Sequence, residues 1–144
     1  MNIEIYTLLI LAGIAVAFQA GVNGALGKQI GTIEASFTSF SIGTIFIFFA
    51  MLFFGKGDIF LIKNVPLWQL AGGILGAVYV MISVMMVPKI GIGGVLMLLI
   101  IAQLSTSAVI DHFGIFTGVS IPINWKRIVA LAMMFGALWL FYKK

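Results

Sequence analysis

The chain of 144 residues is 62% hydrophobic and 8% charged, and its formal net charge is +4. An ordinary soluble domain is about 45–50% apolar and about 25% charged, so this composition excludes a soluble globular protein and predicts an integral membrane protein surrounded by lipid. The sequence has no cysteine, which excludes disulfides, thiolate nucleophiles and thiolate metal sites.

Charged residues divide the sequence into apolar runs of membrane-spanning length. Four charge-free runs of 23, 21, 25 and 21 residues occupy 5–27, 35–55, 64–88 and 90–110. A helix needs about 20 residues to cross the hydrocarbon core. The fifth run, 128–142, is shorter, but snorkelling of its flanking basic residues lets a helix begin near Trp125. The sequence therefore predicts an all-α integral membrane protein, a single transmembrane domain over 1–144, with five transmembrane helices at about 5–26, 33–54, 66–87, 91–112 and 125–142.

Proline, glycine and aromatic residues mark the ends of these predicted helices. Pro66 stands where a first helical turn tolerates proline, and Pro88 and Gly91 separate the third helix from the fourth. Tryptophan and tyrosine near both ends are typical of the interfacial aromatic belt. These residues are Tyr6, Trp68, Trp125, Trp139 and Tyr142.

The first helix carries two carboxamides on one face. Gln19 and Asn23 are four residues apart, so their side chains are neighbours on the helix surface. They offer hydrogen-bond donors and acceptors without charge, which suits a solute-binding stripe. Hydrogen bonding between helices is the alternative.

The second helix opens with a small, polar face. Ser36, Ser39 and Gly43 follow one another at helical spacing, and this pattern favours close helix packing, with substrate contact as the alternative. Glu34 stands just before this face and is either a solvated or helix-capping carboxylate or a gate for protons or cations.

The third helix presents Gly72, Gly76, Tyr79 and Ser83 on one face. The two glycines form a Gly-x-x-x-Gly pair, which is typical of helix packing. Tyr79 lies near mid-membrane, where its hydroxyl needs a polar partner, so it is a candidate for lining a substrate cavity.

The fourth helix contains the most informative polar stripe. Gln103 lies near its centre, and Ser107 and Asp111 follow at i+4 and i+8. The stripe ends in Asp111-His112, and an acid beside a histidine at the membrane border is a functional hypothesis by default. The pair would pass protons in a coupled transport cycle; alternatively, it caps the helix and holds the following loop.

Several functions are disfavoured by what the sequence lacks. No carboxylate lies deep within a predicted helix, and no arrangement of residues suggests a hydrolase, a phosphate-binding loop, a metal site or a cofactor. The positive charges lie at membrane borders rather than on a folded soluble face, so nucleic-acid binding is not expected. The sequence thus predicts a protein that is not an enzyme.

The basic residues are balanced between the two sides of the membrane. With five helices, Lys56, Lys63, Lys126 and Arg127 fall on one side, and Lys28, Lys89, Lys143 and Lys144 fall on the other. The positive-inside rule then sets no orientation, which predicts dual topology; local dominance of one charge is the alternative. Two oppositely inserted copies would form an antiparallel homodimer, a ten-helix bundle with the inverted repeat common in secondary transporters.

Three segments of the sequence resemble a known family. Gln19-x-x-x-Asn23, the run 35–43 and Ile110-Asp111-His112-Phe113-Gly114 are similar to segments of the YdcZ-like proteins, a five-helix branch of the drug/metabolite transporter superfamily. The resemblance spans nearly the whole chain. It implies a prokaryotic cytoplasmic membrane, an antiparallel pairing of five-helix units, and motif positions at Gln19, Asn23, Ser36, Ser39, Gln103, Asp111 and His112.

The sequence therefore favours a secondary transporter of a small polar or amphipathic metabolite or drug, working by alternating access as an antiparallel homodimer. Two other functions stay open. A dual-topology ion channel would conduct far faster than a transporter, and a non-transporting assembly subunit would bind no solute and depend on a different partner.

Overall fold

The computed structural model describes residues 3–143, so Lys144, which contributes to the predicted charge balance, lies outside the described residues. Within that range all regular secondary structure is helical. The α-helices are α1 (Ile3–Ile30), α2 (Thr32–Phe54), α3 (Ala71–Phe113) and α4 (Trp125–Tyr142), with two 3-10 helices at Ile59–Asn64 and Leu67–Leu70. Each α-helix is long and apolar enough to cross a membrane. The predicted all-α, multi-pass membrane protein is confirmed.

Helix α3 consists of two helical segments. It contains 43 residues, about twice the length that one crossing needs, and Gly91 inside it has the non-helical angles φ 77° and ψ 163°. The break expected between the third and fourth helices is therefore confirmed at Gly91. The expectation that Pro88 also lies outside the helix was wrong, since Pro88 belongs to the last turn of segment 71–90. Proline has no N–H, so this turn lacks the hydrogen bond to the carbonyl of Val84.

The connection between α1 and α2 is much shorter than predicted. Helix α1 continues to Ile30 and α2 begins at Thr32, so Gly31 alone joins them and the expected end near residue 26 was wrong. The Gly31 N–H donates to the Gly27 carbonyl at 3.1 Å, and the Gly31 carbonyl accepts from the Ala35 N–H at 3.0 Å. Lys28 lies in the last turn of α1, where a cation is favourable beside the free carbonyls. A charge at the membrane border thus need not end a helix.

The connection between α2 and α3 is built from the two 3-10 helices. Asp58 caps the first of them, because its Oδ1 accepts from the Phe60 N–H at 2.9 Å. Pro66 immediately precedes the second. Helix α3 consequently begins at Ala71, five residues after the predicted start, whereas α4 matches its predicted bounds.

The chain divides into two compact units, residues 3–92 and 93–143. The core of the first unit contains Ala35, Val80 and Val84, with Leu26 and Tyr79 packed against it. The second unit buries Val95, Ile101 and Ala108. Most large apolar side chains elsewhere are exposed, including Phe18 at 72%, and only lipid or another chain can cover so much apolar surface.

Candidate functional site

In the first unit, three of the predicted site residues meet in one narrow cleft between α1 and segment 71–90. Gln19, Asn23 and Tyr79 line it together with Ser83, and its apolar wall is formed by Val16, Ala20 and Val80. The cleft measures about 10 Å³, which is close to the space of a single water molecule. Asn23 is only 7% exposed, whereas Gln19 lies at the exposed edge of α1.

Polar side chains in this cleft differ in whether they already have a hydrogen-bond partner. The Ser83 hydroxyl donates to the Tyr79 carbonyl at 2.8 Å, so it is bound to its own helix. Among residues 3–143, no hydrogen bond engages the side chains of Gln19, Asn23 or Tyr79. These three side chains can therefore bond to a water molecule in the cleft or, at the exposed edge formed by Gln19, to a solute or a second chain, without first breaking a bond within the protein.

A row of glycines that the sequence analysis did not single out brings α1 against the stretch from Val84 to Ile92, on both sides of the break at Gly91. An added Cβ at Gly24 would lie 2.6 Å from Val87 Cγ1, and one at Gly21 would lie 2.9 Å from Ile92 Cδ1. Gly27 faces Val84 just as closely. The spacing of the glycines, at i, i+3 and i+6 on α1, was the available signal.

The glycine pair predicted for packing is less crowded within the chain. A Cβ at Gly72 would meet nothing within 4 Å, and one at Gly76 would lie 3.7 Å from the ring of Phe40. Close helix approach in the first unit therefore depends on the glycines of α1, while the face of Gly72 stays open.

The predicted residues of α2 lie apart from the first-unit cleft. Ser36 is buried, and its hydroxyl donates to the Thr32 carbonyl at 2.8 Å; Ser39 is half-buried. Glu34 is exposed in the first turn of α2, with its carboxylate over Gly31. A carboxylate is favourable at this position because the helix N-terminus carries partial positive charge.

In the second unit, a larger cleft of about 290 Å³ lies between segment 92–113 and α4. Asp111 and Arg127 meet at its charged end, with Arg127 Nη1 3.6 Å from Asp111 Oδ2. Both side chains keep more than a third of their surface exposed. The complete lining is Leu104, Ser107, Ala108, Asp111, Arg127, Ala130, Leu131 and Met134.

Arg127 is a site residue that the sequence analysis treated only as a border charge. It lies 16 positions after Asp111, beyond a connection with no helical spacing, so no sequence pattern relates the two. By contrast, Gln103 does not line the cleft and is exposed on the surface of the second unit. Nearby, the buried Ser105 hydroxyl has no hydrogen-bond partner among the described residues.

The end of segment 92–113 is tied to the loop that follows it. His112 Nδ1 accepts from the Ile123 N–H at 3.3 Å, and the His112 carbonyl accepts from the Ser120 hydroxyl at 2.5 Å. The Asp111 carbonyl accepts from the N–H groups of Gly114, at 3.2 Å, and Ile121, at 2.8 Å. These contacts match the alternative interpretation of Asp111-His112, in which the pair holds the loop, and they leave the Asp111 carboxylate available to the cleft.

A family model matches the chain over residues 5–140, and its description is "Putative inner membrane exporter, YdcZ". The chain belongs to this family. The resemblance seen in the sequence is thereby confirmed, and membership supports a membrane transporter rather than an enzyme. Neither a search of curated proteins nor one of solved structures found a match.

No cluster of three or more metal-ligating side chains occurs among residues 3–143. The polar groups that line the two clefts are carboxamides, hydroxyls and one ion pair. Such groups can bind and orient a solute.

The hydrogen bond from Ile123 to His112 predicts a difference between two substitutions. His112→Asn keeps an acceptor close to the position of Nδ1, whereas His112→Gln moves it toward Nε2. We expect the Gln variant to loosen the loop at 114–124 and to lower stability by about 1 kcal/mol, and the Asn variant to lose less. Hydrogen exchange of the Ile123 amide measures this directly. Equal exchange in both variants would show that Nδ1 does not hold the loop.

Proposed function

We propose that the protein is a secondary transporter that exports a small polar or amphipathic metabolite or drug across the cytoplasmic membrane of a prokaryote. The observation that carries the proposal is the cleft of the second unit, which combines an apolar wall with an ion pair at one end, in a chain of an exporter family. A pocket of this composition orients an amphipathic solute without holding it irreversibly.

Exposed carboxamides support the antiparallel homodimer. Gln103 lies at the middle of the apolar segment 92–113 and is exposed on its unit, and Gln19 lies exposed on α1. Carboxamides facing hydrocarbon are costly because they lose the hydrogen bonds of water. Burial against a second copy removes that cost. In this proposal α1, α2, the two segments of α3 and α4 each cross the membrane once. This odd number, together with the balanced basic residues, favours insertion of that copy in the opposite sense.

In this proposal the predicted residues divide between binding and coupling. Gln19, Asn23, Tyr79, Gln103 and Ser107 bind the solute. Ser36 and Ser39 lie on the face of α2 that admits a neighbouring helix or the solute. The second group is formed by Glu34, Asp111 and His112, which serve as coupling or gating residues near the membrane borders.

Alternating access follows from the symmetry of an antiparallel dimer. When the two copies adopt different conformations, exchanging those conformations turns an inward-open dimer into an equivalent outward-open one.

Asp111 is the candidate coupling acid. An Asp111→Asn variant that retained full gradient-driven export would eliminate it from that role.

Counterflow in liposomes tests the transport function. Purified protein is reconstituted into vesicles, metabolites and amphipathic ions are screened by thermal shift, and each hit is measured as uptake of labelled solute driven by an internal excess of unlabelled solute. Saturable counterflow is the expected result. Flux without counterflow would indicate a channel, and absence of both binding and flux would indicate an assembly subunit.

Dual topology predicts that the C-terminus appears on both sides of the membrane in comparable amounts. The balance of four basic residues against four leaves no net bias. A reporter at the C-terminus, read by enzymes active on only one side, measures the ratio. As a control, two additional lysines in the 55–66 connection should shift nearly all copies to one orientation. Labelling confined to one side in the unmodified chain would rule out dual topology.

A further inference from the structure

The second-unit cleft has the form of two facing stripes. Leu104, Ser107, Ala108 and Asp111 follow one another at i, i+3, i+4 and i+7, and Arg127, Ala130, Leu131 and Met134 repeat the same spacing on α4. Seven residues of helix extend about 10 Å. Each stripe places its charged residue at the border end and its apolar residues further along, so the cleft is polar at one end only.

The ion pair leaves most of Arg127 uncommitted. A guanidinium has five N–H donors, and here one nitrogen approaches one carboxylate oxygen at 3.6 Å, beyond the usual hydrogen-bond length. Among the described residues, the guanidinium has no second ion pair and no hydrogen bond, although the Arg127 backbone N–H is fixed by the Asn124 side chain at 3.0 Å. An incoming anion can therefore bind Arg127 at little cost.

The charges around the polar end favour an anion over a cation. Lys126 stands next to Arg127 in the sequence, so the first turn of α4 carries two cations against the one carboxylate of Asp111, although Lys126 does not line the cleft. The first turn of α4 adds the partial positive charge of a helix N-terminus. The C-terminus of segment 92–113 carries partial negative charge on its last carbonyl groups. These carbonyls already accept hydrogen bonds from Gly114, Ser120 and Ile121.

The size of the cleft limits the ligand. Its volume of about 290 Å³ lies at the lower end for small-molecule pockets. Met134, at the apolar end, has a flexible side chain that adapts to tails of different shape.

We propose that this cleft binds a small amphipathic anion, with its anionic oxygens on Arg127 and a single short apolar tail between Leu104 and Met134. The inference rests on the proposed transport function and names the class of its substrate. A soluble carboxylate and the anionic headgroup of a lipid share this chemistry. Arg127 provides the charge, and Asp111 competes with the ligand for it.

Binding of labelled octanoate tests the proposal, because its extended length suits a cleft of about 10 Å. The full chain is placed in phosphatidylcholine nanodiscs without any gradient, and unlabelled compounds compete. Octanoate should displace the label at least about tenfold better than n-octylammonium or acetate. The n-octylammonium ion has the tail but the wrong charge, and acetate has the charge but no tail. Equal or better displacement by n-octylammonium would overturn the proposal.

Matched variants separate the charge of the cleft from the charge of its surroundings. Arg127→Gln should weaken octanoate binding by about tenfold or more, and Arg127→Lys should recover part of it. Lys126→Gln removes the same charge from a residue that does not line the cleft and should change affinity by no more than about twofold. Asp111→Asn should strengthen binding. Wild-type affinity in Arg127→Gln would refute the assignment.

Two further measurements check that loss of binding is not caused by misfolding and show whether the ligand is a soluble anion or a lipid. Ala130→Phe fills the cleft without touching a charge, so it should abolish octanoate binding while the protein keeps its size-exclusion profile; unchanged binding would overturn the proposal. Displacement by hexanoyl lysophosphatidylglycerol, but not by hexanoyl lysophosphatidylcholine, would identify a lipid source, because each has a single tail; displacement by neither would identify a soluble source.

The outcomes distinguish this inference from the proposed function. If octanoate does not bind but another solute shows counterflow, the anion site is wrong and the transport function stands. If octanoate binds through Arg127 but no solute shows counterflow, the site stands and the transport function is wrong.

Discussion

Replacing Gly27 with alanine should lower the free energy of unfolding by about 1–3 kcal/mol, because the new methyl group overlaps a side chain that cannot move away. The added Cβ would overlap Val84 Cγ1 and would also lie 3.9 Å from the Cβ of Ala35. Val84 is 1% exposed and belongs to the core of the first unit. Thermal unfolding in detergent, followed by fluorescence-detected size exclusion, measures the loss.

A double-mutant cycle identifies the cause of that loss. Val84→Ala alone should also destabilise, since it leaves a cavity. Combined with Gly27→Ala, however, it removes the overlap. The double variant should therefore lose less free energy of unfolding than the two single variants lose in total. Gly72→Ala is the matched control, because its Cβ would meet nothing within 4 Å and alanine favours a helix. Strict additivity would show that Gly27 and Val84 are not in close contact.

Replacing Gly31 with alanine, as a separate variant, should lower the free energy of unfolding by roughly 1–3 kcal/mol, because the backbone conformation at this position strains an alanine. Gly31 has φ 103° and ψ 154°, a conformation essentially confined to glycine, and it is the single residue between α1 and α2. Alanine would force the two helices to change their connection. The same unfolding assay measures the loss, and a change in the packing of Ala35 against Val84 should accompany it.

Removal of a neighbouring side chain separates backbone strain from crowding at this position. A Cβ on Gly31 would also overlap the Glu34 carboxylate, but that carboxylate is exposed and can rotate away. Glu34→Ala should therefore fail to rescue Gly31→Ala. Gly13→Ala is the control within α1, where a Cβ meets nothing within 4 Å, and it should stabilise slightly. Full rescue by Glu34→Ala would assign the cost to crowding.

The polar stripe of segment 92–113 illustrates how far helical spacing can be used. Ser107 and Asp111 do line one cleft, as their spacing predicts, but Gln103 lies outside it. Each step of four residues turns a helix by about 40° beyond a full circle, so Gln103 and Asp111 point about 80° apart. A short cleft has no room for both. Only the position of α4 decides which part of such a stripe becomes a binding surface.

The first-unit cleft also shows that helical spacing relates residues within one helix but not residues on different helices. Gln19 and Asn23 were predictable as neighbours because both belong to α1. Tyr79, some 60 residues away, could be named as a cavity candidate, yet nothing in the sequence related it to the pair. The glycines of α1 that permit this approach are recognised only once Val84, Val87 and Ile92 are seen opposite them.

The amino-acid sequence by itself determined the membrane class, the helical architecture and most of the helix positions, because lipid requires long apolar runs and leaves charges at the borders. It also supplied the family and the polar residues on single helices. The tertiary structure alone decided that α1 and α2 meet at Gly31 and which residues of different helices contact each other. The pairing of Asp111 with Arg127 depends on how α4 packs, which no periodicity along the chain encodes.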